Sequence, residues 1–252
     1  MTTPLVSVLT PMYNAEGYIG EVLASISAQT YPDLEHIVVD DGSTDRSAEI
    51  VERFIRSSDR RNIRLLRQTN AGEAAAVNRA FQDAKGEYVV VVNADDPPMK
   101  SLLALTVAML ESSPETVAVY PDWNMIDAGG LCIKSIQTLD YSLDRLVGDF
   151  CCLPGPGALI RSSALSDGRL RDPSYRYISD LEMWLRLSLK GQMRRCPFVL
   201  ANWRSHASGA TAVGRGRPIA DELERLYVEF FARSDLPINL WISKVLPFGE
   251  ER

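Results

Sequence analysis

The segment His36–Asp45, HIVVDDGSTD, decides the fold, and the segment Tyr88–Asp96, YVVVVNADD, repeats its pattern about fifty residues later. In each segment a short, β-branched apolar run, typical of a buried strand, ends in two adjacent aspartates. Because helical patterns lie between the two runs, we expect parallel neighbouring strands whose carboxyl ends share one edge of a sheet. Four carboxylates would repel one another there unless a cation or hydrogen-bond donors compensated. The first hypothesis is therefore a metal-assisted nucleotide or phosphate site.

The first 120 residues alternate between strand and helix patterns almost without interruption. Predicted strands cover 6–10 (stopped by Pro11), 35–39, 63–67, 87–92 and 117–120, and predicted helices cover 18–29, 46–57, 72–84 and 97–111. This alternation predicts an α/β fold with a mostly parallel central sheet flanked by helices. Further on, 127–130 is a predicted turn between antiparallel strands, and 181–189 and 222–231 are predicted helices. Because the sequence shows no internal repeat or linker, we expect a single domain over 1–252.

Composition narrows the class of protein. The 252-residue chain is 46% hydrophobic and carries a net charge of −6, which disfavours nucleic acid as a partner. Its four cysteines show no metal-ligand spacing and are expected to be reduced and mostly buried. The sequence shows neither a signal-peptide pattern nor an apolar stretch of membrane-spanning length. We therefore expect a cytoplasmic protein that is either soluble or attached peripherally to the inner face of the membrane.

Each acid pair also has a purely structural explanation. Asp40 and Asp41 lie in a sequence that favours a turn and a helix cap. If the strand continues, their side chains alternate between faces, so that one would tie down the loop and the other would face the ligand edge. Asp95 and Asp96 follow a fully apolar strand, and their oxygens suit a Mg²⁺ or Mn²⁺ ion that shares its coordination shell with a diphosphate. An Asp-rich helix start is the alternative for this second pair.

Motifs spread over the first 120 residues carry a resemblance to a known family. In chain order they are 6–14 (VSVLTPMYN), 27–32 (SAQTYP), 38–45 (VVDDGSTD), 70–72 (NAG) with Asn78, 85–88 (KGEY) and 93–96 (NADD). Together they resemble family 2 glycosyltransferases, and a weaker match continues to about residue 210. The resemblance implies a GT-A fold: a Rossmann-like central sheet, a smaller antiparallel sheet on the acceptor side, and C-terminal helices. It divides the chain into a nucleotide-sugar-binding half (about 1–120), an acceptor and catalytic half (about 121–215) and a C-terminal helical extension (about 216–252).

The resemblance also implies the chemistry. A family 2 enzyme transfers a sugar, with inversion, from a nucleoside-diphosphate sugar, usually a UDP-sugar, to a hydroxyl group. The implied cofactor is Mn²⁺ or Mg²⁺, and the implied acceptor is a saccharide or a lipid-linked saccharide. The positions carried over as nucleotide- or sugar-binding are Pro11, Tyr13, Glu16, Asp41, Asn78, Asp95 and Gly155, and those carried over as metal ligands are Asp96 and His206.

Individual roles follow from the same resemblance. Asp41 would bind the base edge, while Asp40 would be mainly structural. Asp95 would contact the ribose or the sugar, and Asp96 would hold the metal that bridges the diphosphate. Gly155 lies in a stiff proline- and glycine-rich loop that aligns with a loop beside the sugar, although a plain strand connection would look the same.

The catalytic base is assigned to the second half of the chain. The segment Tyr177–Leu187, YISDLEMWLRL, resembles the family's catalytic segment, and Asp180 falls on the base. A helix N-terminus favours the charged form of such a carboxylate, but a simple helix cap would also explain it. Two departures stand out: Ser179 replaces the usual glutamate, and Val77 stands where the family often has an arginine before Asn78. The second departure calls into question an arginine contact to phosphate from that helix.

Three C-terminal features complete the expectations. His206, in Trp203–His206, is either a metal or diphosphate contact or an ordinary loop histidine, since Mg²⁺ prefers oxygen ligands. The stretch 211–218, with two glycines and two arginines, is either a lid over the phosphates or a plain connection. The apolar segment 236–248 either packs back on the core, docks on a membrane that carries a lipid-linked acceptor, or contacts a second subunit.

The sequence thus favours an inverting, metal-dependent glycosyltransferase that acts in cell-surface polysaccharide or glycoconjugate synthesis. A catalytically silent sugar-nucleotide-binding module is the alternative that Ser179 and Val77 leave open. A nucleotidyltransferase is disfavoured because the stretch after the first strand, 10–14, lacks a glycine-rich phosphate loop with a basic residue. A Rossmann dehydrogenase is disfavoured because no Gly-x-Gly-x-x-Gly run is present. The sequence identifies neither the donor sugar nor the acceptor.

Overall fold

The computed structural model describes residues 3–58, 62–148, 154–165, 167–207, 209 and 217–236. The strands in these ranges are β1 (Val6–Met12), β2 (Leu34–Asp40), β3 (Ile63–Arg67), β4 (Tyr88–Val91), β5 (Thr116–Ile126), β6 (Cys132–Ile136), β7 (Leu159–Arg161) and β8 (Gln192–Arg204). The helices are α1 (Ile19–Ser27), α2 (Ser47–Ser57), α3 (Glu73–Gln82), α4 (Leu102–Glu111), α5 (Leu143–Gly148), α6 (Ser179–Ser188) and α7 (Arg217–Phe231). The predicted alternation over the first 120 residues is confirmed, and β3 has the predicted bounds.

All of these strands belong to one sheet with the order β3-β2-β1-β4-β7-β5-β6, and β8 pairs with β5 outside this path. Four pairs are parallel: β1 with β2, β1 with β4, β2 with β3, and β5 with β8. The antiparallel strands β6 and β7 pair with β5, and β7 also pairs with β4. The predicted α/β class with a mostly parallel sheet is therefore confirmed. The antiparallel part continues the same sheet through the long strand β5.

The two strands that carry the acid pairs are parallel, but the prediction that they are neighbours is wrong. Strand β1 lies between β2 and β4. All seven residues of β1 are buried, so this strand takes the centre of the parallel region and the chain adds β2 to one side and β4 to the other. Sequential strands are neighbours only about two-thirds of the time, so the alternation alone did not settle the order. The carboxyl ends of β2 and β4 still lie at the same edge, on either side of β1.

Strand β1 runs past Pro11, which was predicted to stop it. Pro11 pairs in register with Val39 of β2, whereas the pairing with β4 ends at Leu9. The missing N–H of proline therefore falls beyond the part of the ladder that β4 covers, where a proline is tolerated. The extension brings Met12 to the sheet edge, where its carbonyl accepts the backbone N–H of Asp41 at 2.8 Å.

Two other predicted boundaries are corrected by long-range contacts. Helix α4 begins at Leu102 rather than at 97–98, because the preceding backbone is used elsewhere: Met99 N–H donates to the Leu200 carbonyl at 2.9 Å. Strand β5 continues to Ile126 rather than ending at 120, because irregularities in its pairing with β8 let it pass Pro121. The predicted turn at 127–130 is confirmed as the β5–β6 connection.

Helices cover both faces of the sheet, giving three layers. One face packs against α3, α6 and α7 in a core that includes Leu9, Val89, Trp184 and Phe230. The other face packs against α1 and α4, through residues such as Val8 and Tyr88, with a smaller cluster between α1 and α2. Adjacent residues of β1 and β4 thus face opposite layers, as the period of a strand requires. Helix α7 contributes to the same core as the first strands.

Two remaining expectations concern the class of protein. In the part of the chain that the structure describes, none of the helices combines the length and the apolar character that crossing a bilayer requires. Of the four cysteines, Cys196 is buried as expected, but Cys132 is exposed on the edge strand β6, and residues 151 and 152 lie outside the described residues.

Candidate active site

The loops that follow β1 and β2 are joined to each other at the carboxyl edge of the sheet. The Asn14 side-chain oxygen accepts the Thr44 N–H at 2.8 Å, and the Asn14 N–H donates to the Ser43 hydroxyl at 3.0 Å. Asn14 takes a left-handed conformation (φ +48°), which asparagine adopts more readily than most residues. The two loops therefore form one rigid rim.

Three predicted nucleoside contacts lie on this rim. Pro11 is buried at the end of β1, and Tyr13 follows it with 52% of its surface exposed, available to a ligand. The Glu16 carboxylate accepts both the backbone N–H and the Nε–H of Arg46 at 3.1 Å. Glu16 therefore closes the rim, and its direct contact with a nucleoside stays a prediction.

The two aspartates at the carboxyl end of β2 accept hydrogen bonds from different loops. An Asp40 carboxylate oxygen accepts the Ser43 N–H at 3.0 Å and so ties down the following loop. The Asp41 carboxylate accepts three bonds of 2.8 Å, from the Gln68 side chain and from the N–H groups of Ala71 and Gly72. Asp41 thus anchors the loop before α3, and base recognition by this residue remains a prediction.

Gly42 is required where these loops approach each other. Its φ is +75°, and a Cβ there would lie 2.9 Å from the backbone nitrogen of Asn70. A side chain would be strained by the backbone conformation and would also collide with backbone that cannot yield. The glycine after the acid pair therefore sets how closely the β2 and β3 loops meet.

Asn78 lies away from this edge, and the structure gives it another role. Its amide nitrogen donates to the Arg171 carbonyl at 2.8 Å, and its oxygen accepts the N–H groups of Leu170 and Arg171 at 2.9 Å. Both polar atoms of its amide are engaged by backbone that approaches α6. Asn78 therefore holds the segment that leads to Asp180, and a sugar-nucleotide contact by Asn78 stays a prediction.

The second acid pair lies directly after β4 and is held by the end of β8. Asp96 is 5% exposed, and its carboxylate accepts the Arg204 N–H at 2.7 Å and the Asn93 side-chain N–H at 3.0 Å. Burial, followed by the charge of Asp95, raises the pKa of Asp96 to about 7, although the bonds from Arg204 and Asn93 oppose the rise. The site therefore holds an acidic group whose negative charge is poorly compensated.

Arg204 is a site residue that sequence reasoning missed. Its guanidinium, 1% exposed, contacts the Glu21 carboxylate at 2.6 Å, the Asp95 carbonyl at 2.8 Å, and the carbonyls of Asp127 and Ala128 at 3.2 and 3.1 Å. It joins the acid pair to α1 and to the β5–β6 turn. The sequence feature that could have pointed to Arg204 is its position two residues before His206, at the end of a strand. Its partners are too far away in sequence for any local pattern to show them.

His206 lies against Asp95. Its Nε2 is 2.8 Å from an Asp95 carboxylate oxygen, and its ring packs on Tyr18 with centroids 4.9 Å apart. His206 therefore lies at the acid pair as a hydrogen-bond partner of Asp95. Metal ligation by His206 stays a prediction.

The donor set around the acid pair fits a hard cation. Asp95 and Asp96 offer carboxylate oxygens, and the raised pKa of Asp96 shows that a positive charge would be accommodated there. Among the described residues, no group of three or more histidine, cysteine, aspartate or glutamate side chains is arranged to hold a metal. A Mg²⁺ ion usually takes only one or two protein carboxylates and completes its shell with substrate phosphates and water, so two carboxylates suffice.

The predicted base, Asp180, lies in the first turn of α6 with its side chain exposed, and its carboxylate accepts the Leu181 N–H at 2.8 Å. Helix α7 fixes the segment before it. The Glu222 carboxylate accepts the N–H groups of Arg176 and Tyr177 at 2.8 and 2.9 Å. With Asn78 on the other side, the approach to Asp180 is held by two helices.

Gly155 lies in a loop that borders the acid pair. A Cβ at Gly155 would lie 2.8 Å from the indole nitrogen of Trp123, so the glycine allows the loop to pack on that ring. The neighbouring Pro156 and Gly157 line a recess together with Asp96 and Asn202. The loop is therefore next to the acid pair, and sugar contact by Gly155 stays a prediction. The glycine- and arginine-rich stretch 211–216 lies outside the described residues.

Comparison with known proteins agrees with this geometry. The sequence profile of Glycosyl transferase family 2 matches residues 7–141, more than half of the chain. A Bacillus subtilis protein named as the teichuronic acid biosynthesis glycosyltransferase TuaG is 31% identical over 194 residues, which covers 75% of this chain and 73% of that protein. The chain belongs to glycosyl transferase family 2. It spans only 25% and 47% of the length of two other curated relatives that it matches.

Two solved structures show the same fold. Residues 1–349 of Staphylococcus aureus TarS, in complex with UDP-GlcNAc, match with a TM-score of 0.73 at 21% identity, covering 92% of this chain and 68% of that one. The Pyrobaculum calidifontis mannosyltransferase PcManGT, in complex with GDP-Man and Mn²⁺, matches with a TM-score of 0.66 at 20% identity, covering 97% and 80%. The expected GT-A fold is thereby confirmed.

Proposed function

We propose that this protein is an inverting, metal-dependent glycosyltransferase that moves a sugar from a nucleoside-diphosphate sugar, a UDP-sugar in the first instance, to a hydroxyl of a saccharide or lipid-linked saccharide. The name of TuaG supports a place in cell-surface polysaccharide or glycoconjugate synthesis. Structural neighbours hold UDP-GlcNAc in one case and GDP-Man with Mn²⁺ in another, which supports the donor class. The proposed reaction, donor and acceptor therefore rest on membership of this family and on the residues of the site.

One observation carries the proposal: the acid pair at the carboxyl edge of the parallel strands, in which Asp96 is buried. Asp96 has a pKa raised to about 7 by burial and by Asp95, and Arg204 and His206 hold the pair in place. A buried carboxylate with little compensation is unfavourable unless a cation or a ligand uses it. In this proposal Asp96 holds Mn²⁺ or Mg²⁺, which would supply positive charge to the leaving diphosphate, and Asp95 contacts the ribose or the sugar.

The base in this proposal is Asp180. The acceptor hydroxyl gives its proton to the Asp180 carboxylate while its oxygen forms a bond to the anomeric carbon. The bond between that carbon and the diphosphate oxygen breaks, and the electron pair leaves with the nucleoside diphosphate. Attack and departure take place on opposite faces of the sugar, so the configuration inverts without a covalent enzyme intermediate, through an oxocarbenium-like transition state. The exposure of Asp180 supports this role because the base must be reached by the acceptor.

A donor panel tests the function. The full chain is incubated with UDP- and GDP-sugars in the presence of Mn²⁺, Mg²⁺ or EDTA, and release of the nucleoside diphosphate is measured with and without oligosaccharide acceptors. We expect release with a subset of donors, dependent on a divalent cation and lost in Asp180→Asn. Binding of a donor without turnover under every condition would instead identify a silent binding module.

The proposed single domain over 1–252, with its two halves and C-terminal extension, is supported by a core that includes both Leu9 and Phe230. The expectation for the apolar segment 236–248 concerns residues that, apart from Leu236, lie outside the described part of the chain. Peripheral attachment to a membrane or a homodimer through this segment therefore stays a prediction. Vesicle flotation and light scattering of the full chain and of a variant truncated after Asp235 test it.

A further inference from the structure

Arg171 carries a buried guanidinium with unused donors. The residue is 8% exposed, and neither its Nε nor its Nη1 has a hydrogen-bond partner among the residues that the structure describes. Its Nη2 lies 4.0 Å from a Glu73 carboxylate oxygen, which is too far for a hydrogen bond. Burying a charged group without its hydrogen bonds is unfavourable, so such a group calls for an explanation.

The neighbouring arginines show that local carboxylates are available but do not serve Arg171. Arg169 contacts Asp172 at 2.7 Å, and Arg186 contacts Asp167 at 2.9 Å and Glu182 at 3.0 Å. These two arginines and their acidic partners form a closed network along the loop before α6. Arg171 alone of the three turns towards α3, so its unused donors are not explained by a shortage of acidic residues nearby.

The surroundings of Arg171 are set by Glu73 and Asn78, which both lie on α3. Asn78 holds both the N–H and the carbonyl of Arg171, which fixes where its side chain starts. Glu73 keeps 46% of its side chain exposed. Burial raises the pKa of Glu73, Arg171 opposes that rise, and the charge of Asp180 adds to it. Glu73 is therefore the solvent-exposed neighbour of the buried guanidinium.

We propose that Arg171 binds an oxyanion of the substrate beside Glu73. A guanidinium matches the oxygens of phosphate and carboxylate groups and forms charge-assisted bonds with them. Two sources have this chemistry: the diphosphate of the donor, and an acidic group on the sugar being transferred or extended. Only the naming of these sources rests on the proposed glycosyltransferase activity. Glu73 competes with the anion, because it is the carboxylate within 4.0 Å of the guanidinium.

Calorimetric titration of the full chain in EDTA, so that no divalent cation contributes, tests the inference. The probes are pyrophosphate, UDP, uridine and glucuronate. We expect Arg171→Met to weaken an anionic probe by about tenfold or more, the loss expected when a charged hydrogen-bond partner is removed, and to leave uridine unchanged. Glu73→Gln should have the opposite effect and strengthen the binding of the same probe. Arg169→Met, on the same loop but in the closed network, is the matched control and should leave all four probes unchanged.

The outcomes separate the sources. If Arg171→Met loses affinity for pyrophosphate and UDP, the bound oxyanion is the donor diphosphate. If it loses affinity only for glucuronate, the bound oxyanion is an acidic group on a sugar. If Arg171→Met changes no anionic probe, or if the wild-type protein binds none of them, the inference is wrong. If Arg171→Met does not fold, Arg171→Lys provides a second test, because lysine keeps the charge but lacks the planar guanidinium. Equal anion affinity in the lysine variant and the wild type would then contradict a contact that depends on the guanidinium geometry.

The inference and the proposed function can fail separately. Turnover of a sugar nucleotide by the wild type, with pyrophosphate binding that does not depend on Arg171, would leave the function standing without the inference. Anion binding that depends on Arg171, in a protein that turns over no donor, would leave the inference standing without the function.

Discussion

Replacing Asp96 by asparagine is expected to stabilise the metal-free protein at alkaline pH while removing metal binding. Burial and the charge of Asp95 raise the pKa of Asp96 from its ordinary value of 3.8 to about 7. Between these two values the unfolded carboxyl is ionised while the folded one keeps its proton. Unfolding then releases a proton, so the free energy of unfolding decreases as pH rises through this window. Asparagine has the same shape and cannot ionise, so the variant escapes this loss.

The magnitude follows from the shift. A difference of about three pKa units corresponds to about 4 kcal/mol above pH 7, which is an upper limit because the structure can relax around the charge. Between pH 5 and pH 8 the stability gain of Asp96→Asn over the wild type should therefore grow by about 3 kcal/mol. Urea denaturation of both proteins in EDTA at pH 5, 6, 7 and 8 measures this difference.

A second variant separates the two causes of the shift. In an Asp95→Asn background the neighbouring charge is absent, so the pKa of folded Asp96 should fall, and the stability gain of Asp96→Asn should level off at a lower pH and at a smaller value. Isothermal titration with Mn²⁺ and UDP should show that Asp96→Asn has lost metal-dependent nucleotide binding. A stability difference between Asp96→Asn and the wild type that stays constant within about 0.5 kcal/mol from pH 5 to pH 8 would refute the assigned pKa.

Three further predictions follow from other parts of the molecule. Asp180→Asn should lose most transfer activity and keep its affinity for UDP, as measured by product release and calorimetry; turnover like that of the wild type would remove Asp180 from the role of base. Asn78→Leu should lower the free energy of unfolding by about 2–4 kcal/mol and reduce transfer, because three bonds to the backbone of 170–171 are lost; UDP affinity should be unchanged, and its loss would restore Asn78 as a ligand contact. Burial lowers the pKa of His36 from 6.5 to about 3, so the wild type should lose up to about 1.4 kcal/mol per pH unit as pH falls below 6.5. The variant Thr10→Val/His36→Leu should lack this loss of stability at low pH. Equal pH dependence of the two proteins in urea denaturation would contradict the prediction.

Periodicity and turn chemistry were sufficient for the elements of the first 120 residues. Strand β3 has its predicted bounds, and the two acid pairs lie at one edge of the sheet because each follows an apolar parallel strand. The order of the strands was not predictable from these patterns, because the burial of β1 on both faces becomes visible only once all the helices are placed. The start of α4 was missed for a similar reason, since the backbone of Met99 bonds to β8 about a hundred residues away.

The candidate site was likewise predictable from the sequence only in part. The types and spacing of Asp95 and Asp96 pointed to the acid pair, but nothing local pointed to the guanidinium of Arg204, which contacts Glu21 across 183 positions of the chain. Asn78 was predicted to contact the sugar nucleotide because it belongs to the motifs that carry the family resemblance. The structure engages its amide with backbone more than ninety residues further on. No local pattern in the sequence points to these long-range bonds.

The position of Arg171 has a consequence for how this chain differs from its relatives. Val77 lies four residues after Glu73, so the two share a face of α3, and the guanidinium of Arg171 reaches that face from the loop before α6. An arginine at 77 and an arginine at 171 would bring two like charges into the same space. We therefore expect only one of the two positions to carry an arginine. Relatives with arginine at the position of Val77 are expected to carry an uncharged residue at the position of Arg171. The double variant Val77→Arg/Arg171→Phe should then tolerate both changes better than Val77→Arg tolerates one.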